Sequence, residues 1–271
     1  MNMSAIEHPS PSRRYFVTDT VASMVRVLRK TVRNPFALFF SLVQPIIWLI
    51  LFSEIFQAVV EIPGFEVDNY LAFLTSAIII MVALFASTAS GIGLVFDMEY
   101  GVFDKLLASP MNRSGIFLGK TLAETIIIAG QVLLILVIAL FMGASIETGF
   151  AGALGIVAFS VFFGIGFVAL SNIIGLATKS ADVTIIAAQF LALPLLFLST
   201  AFLPAEFLPG WVESASVVNP VTYGIEPVRA LMLEGWMWET LIESALVLGL
   251  FNLVVGVLAV SMLRRATSSV S

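Results

Sequence analysis

Residues 115–121, GIFLGKT, form the stretch of the chain whose residue types and spacing come closest to a chemical site. A phosphate-binding loop reads G-x-x-x-x-G-K-[ST]: its backbone N–H groups hold phosphate, its lysine reaches the outer phosphates and its hydroxyl group binds Mg²⁺. Here the spacing is one residue short, with Ser114 in place of the first glycine, and no buried strand precedes it. We therefore predict that residues 115–121 are the opening turns of a helix with Ser114 as its N-cap, and that they bind no nucleotide.

Other residue types that do chemistry are scarce in this sequence. The chain has no cysteine and one histidine, His8, in a Pro- and Ser-rich stretch that is typical of disorder. An intramembrane enzyme needs paired carboxylates, a serine beside a base, or metal ligands. Glu124 stands four residues after Lys120, a spacing that favours an ion pair on a helix surface. We expect no enzyme activity, no metal ion and no cofactor in this chain.

The composition is that of an integral membrane protein. Of the 271 residues, 59% are hydrophobic and 11% are charged, and the mean hydropathy is +1.05. A helix needs about 20 mostly apolar residues to cross the hydrocarbon core of a bilayer. We predict an all-α fold with six membrane-spanning helices, at residues 36–56, 70–96, 116–142, 149–176, 183–202 and 241–263.

The cations lie almost entirely on one side of these spans. Of the thirteen Lys and Arg residues, only Arg229 falls on the opposite side. Because basic residues in short loops resist translocation, the basic side is predicted to be cytoplasmic. We expect a multi-pass protein of the cell membrane with both termini in the cytoplasm and an acidic outer surface, and we expect no nucleic-acid partner.

Residues 19–35 have the pattern of an amphipathic helix that lies on the inner leaflet, with Asp19 as its N-cap and Pro35 at its end. Beside an apolar face it carries four cations, which are suited to anionic headgroups. The helix is either an anchor that sets the topology or a docking surface for a cytoplasmic partner. Its basic face is formed by Arg26, Arg29, Lys30 and Arg33.

The loop at residues 96–120 departs from plain membrane helix. Its segment 98–108 is long enough for about three helical turns, and Pro110 disfavours helix at Ser109. The sequence DMEYGVFDKLLASPMNRSGIFLGK resembles the segment D-x-E-x-G-[TV]-x-[DE]-x-L-L-x-[ST]-P-x-x-R that type-2 ABC exporter permeases place between their second and third spans.

Residues 199–235 are too apolar for an ordinary loop and too interrupted by proline for a span. We predict two short helices, at 209–218 and 221–233, that dip into the outer leaflet and return. The segment resembles the same family's L-P-x-W followed by N-P-[VL]-T-Y-x-[IV]-E-x-[VL]-R, although Pro227 stands where a helix-compatible residue is commoner.

The chain is therefore similar over residues 19–263 to the type-2 ABC exporter permeases, and best to their daunorubicin-resistance-like branch. The resemblance implies a permease subunit without its own ATPase site, which moves a hydrophobic or amphiphilic drug, lipid or lipid-linked glycan out of the cell. It implies a separate ABC ATPase subunit that binds ATP and Mg²⁺, and a second permease copy in a homodimer or a related heterodimer. The chain then divides into a disordered tail (1–18), the amphipathic helix (19–35), the six-span domain (36–263) and a cytoplasmic tail (264–271).

The resemblance also assigns residues to two sites. Phe103 is expected to fill an apolar pocket on the ATPase, and Glu226 is expected to pair with Arg229 on an outer gate. The ATPase-coupling residues are Glu99, Tyr100, Gly101, Phe103, Asp104, Leu106, Leu107 and Pro110. The outer-gate residues are Trp211, Asn219, Pro220, Tyr223, Glu226 and Arg229.

A secondary transporter or channel that works without an ATPase is the alternative function. Such a protein is expected to show inverted repeats or titratable groups near the bilayer midplane. The sequence has neither feature, which favours the exporter. In simpler interpretations, the loop at 96–120 is only a connector and the segment at 199–235 only a static outer cap.

Overall fold

The computed structural model describes residues 13–55, 69–109 and 111–268, and the regular secondary structure of these residues is entirely helical. The prediction of an all-α fold is therefore confirmed. The first half contains α1 (Arg13–Val32), α2 (Pro35–Ile55), α3 (Tyr70–Glu99), α4 (Val102–Ala108) and α5 (Arg113–Phe141). The second half contains α6 (Gly149–Thr178), α7 (Ala181–Phe197), α8 (Gly210–Ser216), α9 (Pro220–Arg229) and α10 (Trp238–Ser268), with a 3₁₀ turn at Ala205–Phe207 and a π-helical turn at Ala230–Glu234.

Within the described residues, five helices are long and apolar enough to cross a membrane, namely α2, α3, α5, α6 and α10. The chain is thus a multi-pass membrane protein, as its composition predicts. The fifth of the six predicted spans corresponds to α7, which is apolar but has only 17 residues. At a rise of 1.5 Å per residue, α7 is about 26 Å long.

Helix α3 is the centre of the bundle, because it contacts α2, α5, α6, α7 and α9. In the most apolar stretch of α3, 67% of the residues are buried. In the most apolar stretches of α2 and α10 only 11% are buried, so the apolar surfaces of these two helices face outward. We call the end of the bundle where α1 and α4 lie the α4 end, and the end where α8 and α9 lie the α9 end.

Helices α3 and α6 cross in close contact through small residues. A Cβ atom on Gly91 would overlap the backbone oxygen of Ser171, so a larger residue cannot be placed there without moving a helix. The Ser171 hydroxyl accepts from the Gly91 N–H at 2.9 Å and donates to the Thr88 carbonyl at 2.7 Å. Small residues allow such backbone approach in membrane proteins, and here they join two spans.

Helix α1 is longer than predicted and packs against the bundle. It begins at Arg13, so residues 13–18 are helical rather than part of a disordered tail, while residues 1–12 lie outside the described chain. Asp19 is not the N-cap, because the helix starts six residues before it, and its carboxylate instead accepts the Asn112 N–H at 2.8 Å at the start of α5. Ser23 faces α5 as well and donates to the Ile116 carbonyl at 2.8 Å.

Candidate coupling site and outer segment

The stretch that resembles a phosphate-binding loop is helix. Residues 115–121 lie in α5, so their backbone N–H groups are used by the helix and its cap. The two glycines of this stretch allow α1 to approach α5 closely. A Cβ atom on Gly119 would overlap the Thr20 carbonyl oxygen, and a Cβ atom on Gly115 would lie 3.2 Å from the Phe16 carbonyl oxygen. The helix is capped by Asn112 and not by Ser114, because the Asn112 Oδ1 atom accepts the N–H groups of Ser114 and Gly115.

The lysine of the same stretch belongs to a buried polar cluster. Its Nζ atom lies 2.9 Å from Glu124 Oε1 and 3.0 Å from Asn172 Oδ1. It also donates to the carbonyl and the hydroxyl oxygen of Ser90. The predicted pairing of Lys120 with Glu124 is confirmed, but its predicted place on a helix surface is wrong, since the two residues are 7% and 9% exposed. The cluster joins α3, α5 and α6.

The segment predicted as three continuous turns is broken at Gly101. Helix α3 runs on to Glu99, Tyr100 ends it, and Gly101 takes the left-handed conformation at φ 65° before α4 begins. This conformation suits glycine, which has no Cβ. The result is a short helix of seven residues that turns back across the α4 end of the bundle.

Phe103 anchors α4 to the bundle. Phe103 belongs to a buried cluster with Leu94 of α3 and Leu176 of α6, against which Met262 of α10 packs, and its ring meets that of Phe117 of α5 edge-on at 6.1 Å. In this conformation the Phe103 side chain faces the bundle, and the expectation that it fills a pocket on the ATPase stays a prediction.

Other residues of the predicted coupling site face outward. Glu99 and Tyr100 are exposed, as is the neighbouring Lys105, which was not predicted to belong to the site, and Leu106 is half-buried. The Tyr100 ring stacks on that of Phe96, with centroids 6.0 Å apart. The backbones of Asp104 and Leu107 lie in α4, whereas Pro110 lies outside the described residues.

Two cations of α1 bind the end of α3. The Lys30 Nζ atom lies 2.9 Å from the Asp97 carboxylate, and the Arg26 guanidinium lies 3.4 Å from its other oxygen. Asp97 is buried, whereas Arg29 and Arg33 are exposed. The basic face of α1 is thus connected through Asp97 to the turn that leads into α4.

At the α9 end, Asn219 ties α9 to the end of α7. Its side-chain amide donates to the carbonyls of Leu195 and Leu198 at 2.6 and 2.9 Å, and its Oδ1 atom caps α9 through the Val221 N–H. Pro220 occupies the first turn of α9, where its missing N–H is harmless. Two short helices are present where they were predicted, as α8 and α9, and the second continues as the π-helical turn at Ala230–Glu234.

Arg229 is buried and has partners on three elements. Its Nη1 atom lies 3.1 Å from Glu226 Oε1, which confirms the predicted pair, and Nη2 donates to the Thr200 carbonyl at 2.6 Å. The guanidinium also lies 3.8 Å above the ring of Phe73 in α3. The Thr200 hydroxyl completes the group by donating to Glu226.

The π-helical turn after α9 fastens its other end. The helix ends at Glu234, so the carbonyls of its last residues have no intrahelical partners. The Leu231 carbonyl accepts the Thr148 hydroxyl at 2.7 Å, and the Met232 carbonyl accepts the Glu147 N–H at 3.0 Å. Helix α9 is therefore held both by the end of α7 and by the turn between α5 and α6.

Aromatic side chains surround this end of the molecule. Trp236 and Trp238 are exposed and stack at 5.5 Å. Trp211 of α8 is 70% exposed, and the Tyr223 hydroxyl donates to the Val217 carbonyl at 2.9 Å. Amphipathic rings favour the interface between a membrane and water.

Membrane spans surround α3, the short helix α4 lies at one end of the bundle, and the proline-divided segment with α8 and α9 lies at the other end. This arrangement is that of a helical membrane permease. In the part of the chain that the structure describes, no three Asp, Glu, His or Cys side chains cluster as a metal site requires. A family model described as ABC-2 type transporter matches residues 18–233, and the chain belongs to this family. The chain is the transmembrane subunit of an ABC exporter.

Relatives from several organisms agree with this family. A protein designated transport permease ycf38 in Cyanophora paradoxa is 32% identical over 246 residues, which cover 89% of this chain and 83% of the relative. The daunorubicin resistance ABC transporter permease protein DrrB1 of Streptomyces coeruleorubidus is 24% identical, covering 82% of this chain and 77% of the relative. A Mycobacterium tuberculosis protein designated as the doxorubicin resistance ABC transporter permease DrrC is 22% identical, covering 82% and 79%.

Sequence reasoning missed several residues that organise the α4 end. Asp97 is the first residue of the quoted motif, and an acidic residue at the end of a span opposite a basic helix was a usable signal. Ser90 and Asn172 are polar residues of two other spans, and nothing in the sequence pattern links them to Lys120.

Proposed function

We propose that the chain works with a separate ATPase subunit whose motion reaches the spans through α4. The observation that carries this proposal is the burial of Phe103 among α3, α5, α6 and α10. Movement of this seven-residue helix would reach the four spans whose side chains meet in that cluster. ATP and Mg²⁺ bind the ATPase subunit, and this chain supplies the translocation path.

The surface that meets the ATPase is formed by the outward residues of the α3–α4 turn. Glu99 and Lys105 offer charges of opposite sign, and Tyr100 offers an exposed ring. Aromatic residues are enriched among the residues that dominate binding at interfaces. Asp104, Leu106, Leu107 and Pro110 belong to the same proposed site by family resemblance.

The proposed topology has six spans, with α7 as the fifth along the chain. Its length of about 26 Å is close to the thickness of a hydrocarbon core, and a short span is accommodated by local thinning of the bilayer. The α4 end, with the cations of α1, is cytoplasmic, and the α9 end, with its tryptophans, is external. Helices α8 and α9 then form a re-entrant outer segment that acts as the gate.

The proposed assembly contains two permease copies and two ATPase subunits. Helices α2 and α10 both carry largely unburied apolar surface, enough for contact with a second copy as well as with lipid. A two-fold partner would double the enclosed path. The cargo is hydrophobic or amphiphilic, and the drug-resistance names of two relatives favour a drug, while lipids and lipid-linked glycans remain in the same chemical class.

Cysteine cross-linking tests this function because the native chain has no cysteine. We expect Tyr100→Cys and Lys105→Cys to cross-link to the ATPase subunit in membranes, and Glu213→Cys, an exposed position on α8, to give no such product. Glu213→Cys is expected to react with a membrane-impermeant maleimide from outside the cell. Export that continues at the full rate after removal of the ATPase subunit would establish the secondary transporter or channel instead.

A further inference from the structure

Helix α1 has three distinct faces. One face packs on α5 through small polar side chains such as Thr20 and Ser23. A second face is an exposed apolar stripe, within an arc of about 80° at 100° per residue. The third face is basic. The stripe consists of Val17, Val21, Val25 and Val32.

The basic face is a shallow, open groove along the surface of α1. Ala22 and Val25 lie in it beside the cations, so Val25 belongs both to the groove and to the valine stripe. The groove is lined by cations at spacings of three and four residues, which place them side by side on a helix. The four cations are Arg26, Arg29, Lys30 and Arg33.

These cations exceed the negative charge beside them. The ion pairs that the described residues form with the groove are those of Arg26 and Lys30 with Asp97. Arg29 and Arg33 extend their charges into the surroundings. The groove therefore suits an anion that accepts several hydrogen bonds.

We propose that this groove binds the phosphate headgroup of an anionic phospholipid, whose acyl chains lie along the valine stripe of α1. A phosphate group offers several acceptor oxygens to neighbouring guanidinium groups. The valine stripe selects a lipid rather than a soluble phosphate or an acidic protein surface, because it places apolar surface directly beside the basic groove. The lipid is a bound component of the permease, distinct from exported cargo.

The bound lipid is connected to coupling through Asp97. Arg26 and Lys30 hold that carboxylate, which lies two residues before Glu99 at the end of α3. A phosphate bound in the groove would interact with the same two cations and so weaken or strengthen their ion pairs with Asp97. Lipid occupancy thus sets how firmly α1 is attached to the turn that leads into α4. This step rests on the proposed coupling function, whereas lipid binding does not.

Lipid retention by the purified full-length chain tests the binding step without its ATPase. The chain is placed in nanodiscs of dioleoyl phosphatidylcholine with increasing fractions of dioleoyl phosphatidylglycerol, and bound lipid is measured by native mass spectrometry. We expect Arg29→Gln/Arg33→Gln to weaken retention of phosphatidylglycerol about thirtyfold, since each cation beside an anionic surface contributes about 1 kcal/mol. Neither residue contacts Asp97 in the described pairs, so α1 keeps its attachment.

Three comparisons distinguish the ligand sources. Arg33→Gln is matched with Lys179→Gln, an exposed cation at the same end of the bundle, which is expected to leave retention unchanged. Val21→Ser/Val25→Ser is expected to weaken retention of the lipid. Inorganic phosphate at millimolar concentration is expected not to displace it. If Arg33→Gln and Lys179→Gln reduced lipid retention equally, or if inorganic phosphate displaced the lipid, the proposed lipid site would be overturned.

The coupling step is tested separately in the complex with the ATPase. We expect phosphatidylglycerol to change ATP hydrolysis in the wild type and to have little effect on Arg29→Gln/Arg33→Gln. If the double variant instead loses the ATPase subunit in every lipid composition, the groove is a protein-docking surface and the proposal fails. Lipid retention without any effect on hydrolysis would overturn the link through Asp97 and leave the exporter function intact.

Discussion

The ammonium group of Lys120 lies 2.9 Å from the carboxylate of Glu124, and both side chains are buried at the junction of three helices. Ser90 of α3 and Asn172 of α6 supply its remaining acceptors. A buried charge is tolerated only when it is paired and hydrogen-bonded. The pair therefore holds α3, α5 and α6 together near the end of the bundle that carries α4.

Removal of one charge from this pair is expected to destabilise the permease more than removal of both. Lys120→Met leaves the Glu124 carboxylate buried without its cation. Breaking a buried ion pair in this way lowers the free energy of unfolding by about 3–5 kcal/mol. Lys120→Met/Glu124→Leu is expected to recover most of that loss. Thermal unfolding of the purified chain in nanodiscs measures both effects, and additive losses in the double variant would contradict the pairing.

The anchoring role of Phe103 predicts uncoupling without loss of the ATPase. Phe103→Ala removes the ring from its site among four spans, a change that costs about 3–5 kcal/mol in a packed core. We expect α4 to detach locally, so that ATPase still co-purifies while export falls sharply. Phe103→Leu is expected to restore much of the export. Wild-type transport by Phe103→Ala would reduce α4 to a connector.

The contact between α1 and α5 predicts different results for two glycines of one helix. A Cβ on Gly119 would overlap the backbone of Thr20, whereas nothing lies within 4 Å of a Cβ on Gly130. Gly119→Ala is expected to destabilise the chain by about 1–3 kcal/mol, as overpacking does. Gly130→Ala is expected to stay within about 1 kcal/mol of the wild type. Unfolding temperatures in nanodiscs measure the difference, which would vanish if α1 were detached in the membrane.

The surroundings of Arg229 predict that exchange of the Glu226–Arg229 pair fails to restore function. A carboxylate at position 229 cannot donate to the Thr200 carbonyl or lie as a cation over Phe73. A desolvated cation–π contact alone contributes about 2 kcal/mol. Export by Glu226→Arg/Arg229→Glu is therefore expected to stay as low as that of Arg229→Met. Full rescue by the exchange would show that only the ion pair matters.

Local signals predicted the two short helices at residues 210–229, because their boundaries are set by residues within the segment. Asn219 and Pro220 start α9 by capping and by a fixed backbone angle, and both effects are readable from neighbouring residues. The inward direction of Phe103 was not readable, since helical periodicity shows that a face is apolar but not which element covers it. Asp19 was misread for the related reason that its strongest partner, Asn112, is distant in sequence.

The π-helical turn has a consequence for how this chain tolerates insertions and deletions. The Gly235 N–H donates to the Ala230 carbonyl five residues back, so the turn contains one residue more than an α-helix requires. Deletion of one residue from this turn would rotate the residues that follow it by about 100° about the axis of α9. The Leu231 and Met232 carbonyls would then no longer face the Thr148 hydroxyl and the Glu147 N–H. A single-codon loss here is therefore expected to be more harmful than most substitutions at the same positions.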